Sequence, residues 1–529
     1  MLSRDNFILF FLFLILIVFG AWQLPKSPAT WFDEGINLGI AKSLIQDGVY
    51  SLKIGPDEFV ESRQFLITSN YPVLLPVALS IKLFGFNLAA ARAPMVLFLF
   101  LFALAAYFLV KKLYGKTAAL MSVALIVSFT PFYGNGKAVL GEIPGLFYFL
   151  CALILLILPG KKPSREYFCG FGSEQAWFFR RAKNCEAFTP SSGAGRNEES
   201  KNTARLVFNL RLLFAGFFAG LSAATKPFFL IVPIAIFAGE IFSLGGLASK
   251  LKRIAVLAAG AVLPMAIWLY TILPSFSFGG FLSAITYYSN SYASTNFGNL
   301  IWANFLRFFT ESTPIHFAVL FLVSAAFLVW KRKSKPRSST LGVESPKTPS
   351  VFPRGFDFIE NTLAIFVLLT MAFYLKTPGW YRYFFPAHMI LFLIFPAALI
   401  YLLNKKIAIS VVVLLFLFQL GYTINQRNTS IYYSDEAEMF SKYVMETTAP
   451  QDKNLIINGP SAAFLIENRQ VYQYLQINPV LSFGRGDAAE YSYIAVQGAW
   501  PESLDQNLKS DYTVHKQVGH YALYRKINF

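Results

Sequence analysis

The chain has 529 residues, of which 55% are hydrophobic and only 14% charged, with 56 Phe and a mean hydropathy of +0.49. Soluble domains carry about 25% charged residues, so a water-soluble enzyme, a DNA-binding protein and a disulfide scaffold are excluded, and most of the chain belongs in lipid. The net charge of +17 reads as Lys and Arg gathered on one side of a multi-span protein, not as a nucleic-acid surface.

In chain order, the first predicted span is Phe7–Leu24, preceded by Arg4 and followed by no small-residue cleavage site, as expected of an uncleaved anchor. The others are Leu88–Val110, Thr117–Tyr133, Ile143–Leu158, Leu206–Leu221, Phe228–Leu244 and Ile254–Leu273, then Ile315–Trp330, Ile359–Leu375, Phe384–Leu403 and Ile407–Ile424, which makes eleven. The stretch Tyr71–Phe84 runs only 14 residues, carries Pro72 and Pro76, and reads as interfacial or re-entrant.

Charge supports this count. With the N-terminus cytoplasmic, the inner connections hold Lys111, Lys112 and Lys116; nine Lys and Arg in 159–205; Lys250, Lys252 and Arg253; KRKSKPR in 331–358; and Lys405 with Lys406. A twelfth span at Tyr71–Phe84 would invert every later loop. Cys169 and Cys185 lie in the long inner loop 159–205, without a neighbouring His to complete a metal set. No nucleotide or metal-ligand spacing appears around His316, His388, His515 or His520, and no cofactor or metal is expected.

The organisation expected is a membrane domain over 1–424, with a long first outer loop at 25–87, and an extracytoplasmic α/β domain over 425–529. That tail has nine Lys and Arg against eleven Asp and Glu, a net charge of −2. Ser434–Thr448 reads as an amphipathic helix, and NLIING, QVYQYLQI, YSYIAVQG and HYALYRKI read as short strands.

The remaining ionisable residues fall at the outer ends of the spans, where charges near membrane depth are a functional hypothesis by default. Asp33 and Glu34 lie in WFDEG, Arg92 in AAARAP, Glu142 in GEIPG, Lys226 in ATKP, and Arg382 with Trp380, Tyr381 and Tyr383 in GWYRYFFP. Each also has a structural reading. Asp33 suits the N-cap of a helix running to about Gln46, with Gly48 past its end. Glu142 suits a helix N-terminus. The cations can snorkel to headgroups, and Tyr381 suits an interfacial aromatic belt.

These segments, in this order, resemble the polyprenyl-phosphate-sugar-dependent glycosyltransferases of the GT-C fold, and within them the protein O-mannosyltransferase and lipid A aminoarabinose transferase superfamily. The likeness runs from about Trp31 to Pro386 through WFDEGINLGIAKSLIQDGVY, KLFGFNLAAARAP, GEIPGLFYF, GLSAATKP and RYFFP. Members often carry Lys or His directly before the juxtamembrane proline, where this chain has Asn70-Tyr71-Pro72.

The resemblance implies a multi-pass α-helical enzyme of the inner or plasma membrane, with its active site on the outer face. It would move a sugar, with inversion, from a polyprenyl-phosphate donor to a hydroxyl or phosphate of a protein, glycolipid or lipid A. Asp33 would be the general base, and Glu34 and Glu142 would orient the acceptor or hold Asp33. Arg382, then Lys226, then Arg92 would meet the donor phosphate, and Trp380 and Tyr383 would line the substrate pocket. A lipid or polysaccharide transporter and a non-catalytic envelope assembly protein are the competing readings. The transporter predicts mid-membrane charges in paired halves, and the assembly protein predicts a dispensable Asp33.

Overall fold

The computed structural model describes residues 4–60, 69–158, 194–243, 246–273, 297–333, 356–377, 381–426, 433–478, 481–484, 491–501 and 509–527, with short pieces between 277 and 282. Trp380, Cys169 and Cys185 lie outside the described residues.

The chain is a helical bundle carrying a small C-terminal sheet. Its helices are α1 Arg4–Ala21, α2 Phe32–Gln46, α3 Tyr71–Phe84, α4 Leu88–Tyr114, α5 Lys116–Ser128, α6 Thr130–Lys137, α7 Glu142–Ile157, α8 Ala194–Thr225, α9 Ile231–Ile241 and α10 Leu247–Ile272. There follow α11 Phe297–Thr310, α12 Ser312–Lys333, α13 Phe356–Lys376, α14 Phe385–Leu402 and α15 Lys405–Gln426.

Among the described residues, eight helices are long and apolar enough to cross a membrane, or nine if α5 and α6 form one bent span. Every one of the eleven expected segments is an apolar helix, but three differ in form. Thr117–Tyr133 breaks at Phe129, where α5 and α6 meet at 67°. Pro131 suits the break, because it lacks a backbone N–H and so cannot continue α5, yet is tolerated in the first turn of the new helix that starts at Thr130 after the extended Phe129. Ile143–Leu158 forms the 16-residue α7, and Phe228–Leu244 forms a 3-10 turn, Pro227–Leu230, followed by the short α9. Tyr71–Phe84 is a 14-residue helix with Pro72 in its first turn and Pro76 inside it.

Burial explains the packing order. Nearly all of α14 is buried, so it runs through the centre of the bundle, while α1, α10 and α15 keep one broad exposed apolar face each. α8 and α10 approach until a Cβ on Gly216 would lie 2.0 Å from the Leu257 carbonyl oxygen, and one on Gly260 2.0 Å from that of Leu213. Gly216 and Gly220 form the small-xxx-small spacing that lets helix backbones meet in lipid, where van der Waals contact replaces the hydrophobic drive.

The C-terminal region comprises α16 Glu436–Thr447, α17 Pro460–Leu465 and six strands: β3 Lys453–Ile457, β4 Gln470–Asn478, β5 Leu481–Gly484, β6 Tyr493–Gln497, β7 Tyr512–Val518 and β8 Tyr521–Lys526. A hairpin, β1 Lys53–Gly55 and β2 Glu58–Phe59, precedes them in the first loop. The six strands order as β5-β4-β3-β6-β8-β7, with β3 parallel to both its neighbours and the outer pairs antiparallel. The four runs expected as strands become β3, β4, β6 and β8. The edge strand β7 was not expected, since YTVHKQV exposes most of its side chains and lacks an apolar face. α16 buries Ala437, Phe440 and Val444, the face its spacing predicts.

This region docks on α2. A Cβ on Gly35 would lie 2.4 Å from the backbone N of Ser461 and 2.7 Å from the carbonyl carbon of Pro460, so only glycine admits the start of α17. Lys42 donates to the carbonyl oxygens of Phe464 and Ile466, both at 2.7 Å, and burial lowers its pKa to about 8. Lys26 pairs with Asp435 at 3.1 Å, and Gln473 donates to the Lys53 carbonyl at 2.7 Å. Replacing Gly35 by Ala forces backbone against backbone, and overpacking of this kind costs about 1–3 kcal/mol. G35A is expected to lower the thermal midpoint and to expose the 450–470 segment to limited proteolysis. An unchanged cleavage pattern would show that the docking is not tight.

Candidate active site

The site is built where α2, the α6–α7 link, the end of α8 and the turn before α14 meet. α2 begins two residues earlier than an Asp33 cap requires: Trp31 is the N-cap, and Asp33 lies in the first turn beside Glu34. The predicted end holds, with Gln46 the last helical residue and Gly48 at φ +70°. Because the cap position is not occupied by Asp33, its carboxylate is available for other partners.

Glu34 and Arg92 form a fully buried ion pair with both side chains at 0% exposure. Arg92 Nε donates to Glu34 Oε1 at 2.7 Å and Nη2 to Oε2 at 2.6 Å, the bidentate fork that guanidinium geometry favours. Arg92 Nη1 donates to the carbonyl oxygens of Leu24 at 3.0 Å and Pro28 at 2.9 Å, and the Val139 N–H donates to Glu34 Oε1 at 3.0 Å. This pair ties the segment after α1, the start of α2, the start of α4 and the α6–α7 link into one unit.

Asn37, one turn after Asp33, extends that unit. Its amide donates to the Val139 carbonyl at 2.7 Å and to Ser69 Oγ at 3.2 Å, and it accepts from the Ser69 N–H. The Asn70 N–H then donates to the Thr225 carbonyl at 2.9 Å, next to Lys226. Lys226 and Glu142, at the head of the 3-10 turn and of α7, pair at 2.8 Å with side chains 6% and 3% exposed. Glu142 Oε2 is buried and takes no hydrogen bond among the described residues.

Arg382 pairs with Asp33 and donates through Nη2 to the Tyr383 hydroxyl at 3.2 Å. Its guanidinium also sits 5.1 Å from the Tyr383 ring centroid. Tyr383 is buried and braces Arg382. The Asp33 side chain is 24% exposed, against 6% for Arg382. Of the three candidate carboxylates, only Asp33 keeps appreciable access to solvent.

The structure therefore brings Asp33 together with Arg382, Glu142 with Lys226, and Glu34 with Arg92, in adjoining pairs. Arg92 is engaged in the interior by Glu34 and the carbonyls of Leu24 and Pro28. Sequence reading missed three contributors. Asn37 and Ser69 are ordinary residue types in short polar contexts. Lys137 is buried at the end of α6 and donates to the Trp22 carbonyl at 2.8 Å and to Ser27 Oγ at 3.2 Å. The Asp33-to-Asn37 spacing of one helical turn is the signal that could have found Asn37.

Two histidines that look scattered in sequence meet in space. His388 on α14 bonds His316 on α12, Nε2 to Nδ1, at 3.0 Å, and its Nδ1 bonds the Tyr381 hydroxyl at 3.0 Å. This buried chain holds the turn that carries Arg382. Beside it opens a cavity of about 420 Å³ lined by Glu311, Ser312, Thr313, Pro314, Tyr374 and Tyr381. Among the described residues, no group of three His, Cys, Asp or Glu could hold a metal ion.

A profile of the family described as dolichyl-phosphate-mannose-protein mannosyltransferase matches residues 73–175, which include Arg92 and Glu142. A search of curated proteins returns no match. Among solved structures, ArnT from Cupriavidus metallidurans in the apo state is 10% identical with a TM-score of 0.62, covering 99% of this chain and 98% of that one. ArnT bound to undecaprenyl phosphate is 11% identical with a TM-score of 0.57 and the same coverage. The oligosaccharyltransferase AglB from Archaeoglobus fulgidus, in complex with an inhibitory peptide and a dolichol-phosphate, is 12% identical with a TM-score of 0.51, covering 94% of this chain and 69% of that one. The chain is a membrane protein with the GT-C fold, the architecture of membrane glycosyltransferases that use polyprenyl-phosphate-linked donors.

Removing one partner of a buried ion pair leaves an uncompensated charge and costs about 3–5 kcal/mol, whereas an apolar replacement of both is often neutral. R92M is therefore expected to lower the thermal midpoint sharply, and the double variant E34L/R92M to recover much of the loss. Equal midpoints for wild type and R92M in detergent would refute this role.

Proposed function

We propose that this protein is an integral membrane glycosyltransferase that moves a sugar from a polyprenyl-phosphate donor to an acceptor hydroxyl on the outer face of the inner or plasma membrane, the N-terminus being cytoplasmic. The observation that carries this reading is Asp33, the one candidate carboxylate open to solvent, held beside Arg382 at the mouth of the bundle. The GT-C fold supports it, as do the lipid phosphates named in the solved relatives.

The chemistry follows from charge placement. The acceptor oxygen attacks the anomeric carbon, the bond from that carbon to the phosphate oxygen breaks, and polyprenyl phosphate leaves with the bonding electrons. Asp33 takes the hydroxyl proton as attack proceeds, so it needs reach more than basicity. Arg382 trades Asp33 for the departing phosphate, where a guanidinium offers two parallel donors to developing charge. That exchange frees the Asp33 carboxylate when the donor arrives. Glu142, through its unengaged Oε2, orients the acceptor hydroxyl, and Lys226 fixes Glu142 while adding positive potential toward the phosphate. Glu34 and Arg92 hold Asp33 in place from behind. The cavity beside Tyr381 is wide enough for part of a sugar.

The acceptor class proposed is the hydroxyl of a protein, glycolipid or lipid A. The transporter reading is disfavoured because the candidate charges cluster at one end of the bundle and not at its middle.

D33N keeps the side-chain volume and the pairing geometry but removes the base. Loss of general base catalysis at a positioned group costs about 10²–10⁴ in rate. Purified D33N is expected to retain the wild-type melting temperature and to lose transfer from a radiolabelled polyprenyl-phosphate sugar by that factor. Wild-type transfer by D33N would remove the base assignment. R382K, which keeps the charge and loses the fork, is expected to raise the donor KM more than it lowers kcat.

A further inference from the structure

At the end of the bundle remote from Asp33, α1, α5 and α15 enclose a groove of about 520 Å³. Its lining forms one stripe on each helix. Ile8 and Leu12 come from α1, Met121 from α5, and Val412 and Phe416 from α15, below a mouth that holds Arg4, Asp5 and Lys405. From Lys405 to Phe416 the stripe runs 11 residues, roughly 17 Å of helix at 1.5 Å per residue. One leaflet of a hydrocarbon core is roughly 15 Å deep. The groove thus starts at charge and continues in apolar wall for the depth of a single leaflet.

Among the described residues, the charge at the mouth is not balanced by carboxylates. Asp5 pairs with Lys116 at 3.0 Å, which removes its negative charge from the account. Arg4 and Lys405 are exposed, and among the described residues neither has a carboxylate partner. Two cations without a carboxylate partner among the described residues, set over an apolar slot, complement one molecule class: a lipid with an anionic phosphate headgroup and an acyl chain.

We infer that this groove is a binding site for an anionic glycerophospholipid, the headgroup phosphate lying between Arg4 and Lys405 and one acyl chain lying along Leu12, Met121 and Phe416. Juxtamembrane Lys and Arg attract anionic headgroups by about 1 kcal/mol each. The site is independent of the glycosyltransferase reading and lies at the opposite end of the molecule from it.

The test is native mass spectrometry of the full chain in detergent, after incubation with phosphatidylglycerol, phosphatidylcholine or undecaprenyl phosphate. Wild type is expected to retain one phosphatidylglycerol in preference to phosphatidylcholine. R4A/K405A should weaken phosphatidylglycerol retention by about fivefold for each cation removed and leave phosphatidylcholine unchanged. Ile409 lines the groove one turn below Lys405, and I409W, which keeps both cations but fills the groove, should reduce retention of phosphatidylglycerol while preserving the melting temperature. Equal retention of the two phospholipids by wild type, or undiminished phosphatidylglycerol on either variant, would overturn the site. Undecaprenyl phosphate displacing phosphatidylglycerol at equal concentration would overturn the assignment of ligand.

Discussion

Two opposite charges withdrawn from water are the constraint on which the candidate site of this protein rests. Glu34 and Arg92 have no solvent contact, and such a pair is tolerable only when the remaining donors and lone pairs are filled. Here they are filled by backbone: the carbonyls of Leu24 and Pro28 on one side and the Val139 N–H on the other. Satisfying that pair therefore dictates where three separate stretches of chain must run. Asp33 precedes Glu34 by one residue and inherits its position from an interaction it does not make.

The three acidic residues of the candidate site are chemically alike, and burial separates their surroundings. Glu34 is sealed and bidentate, Glu142 is sealed with one oxygen uncommitted, and Asp33 reaches solvent. The same logic applies to the cations. A guanidinium with all its donors occupied by Glu34 and carbonyls serves structure, while one paired to a half-open carboxylate can exchange partners. Tyr71, directly before Pro72, donates through its hydroxyl to the Pro264 carbonyl at 3.2 Å. It ties α3 to α10 and supplies no charge.

Much of the architecture was legible because lipid imposes a simple rule on sequence. Long apolar runs became helices at the expected places, and the polar tail's short runs became β3, β4, β6 and β8. What sequence could not show is how spans deform. The break at Phe129 follows from Pro131, but its 67° bend depends on neighbouring helices. In the site, ionisable residues stood out against an apolar background, so Asp33, Glu142, Lys226 and Arg382 were visible. Their partners were less so, because pairing across 58 residues for Glu34 and Arg92, or 349 for Asp33 and Arg382, leaves no local periodicity. Asn37 and Ser69 carry no charge and so do not stand out, with only the one-turn spacing from Asp33 pointing to Asn37. The His316–His388 contact depends on α12 lying against α14, which spacing along the chain does not encode.

Gly35 sits two residues from Asp33 and touches the backbone of Ser461. The helix that presents the carboxylate is thus clasped from below by the bundle and from above by the C-terminal sheet. A displacement of the sheet region reaches Asp33 through backbone alone, without any side chain relaying it. The face of the sheet turned away from α2 is under no such restraint. Sequence change is least constrained there, while residues 460 and 461 are held to the start of α2 by the missing Cβ of Gly35.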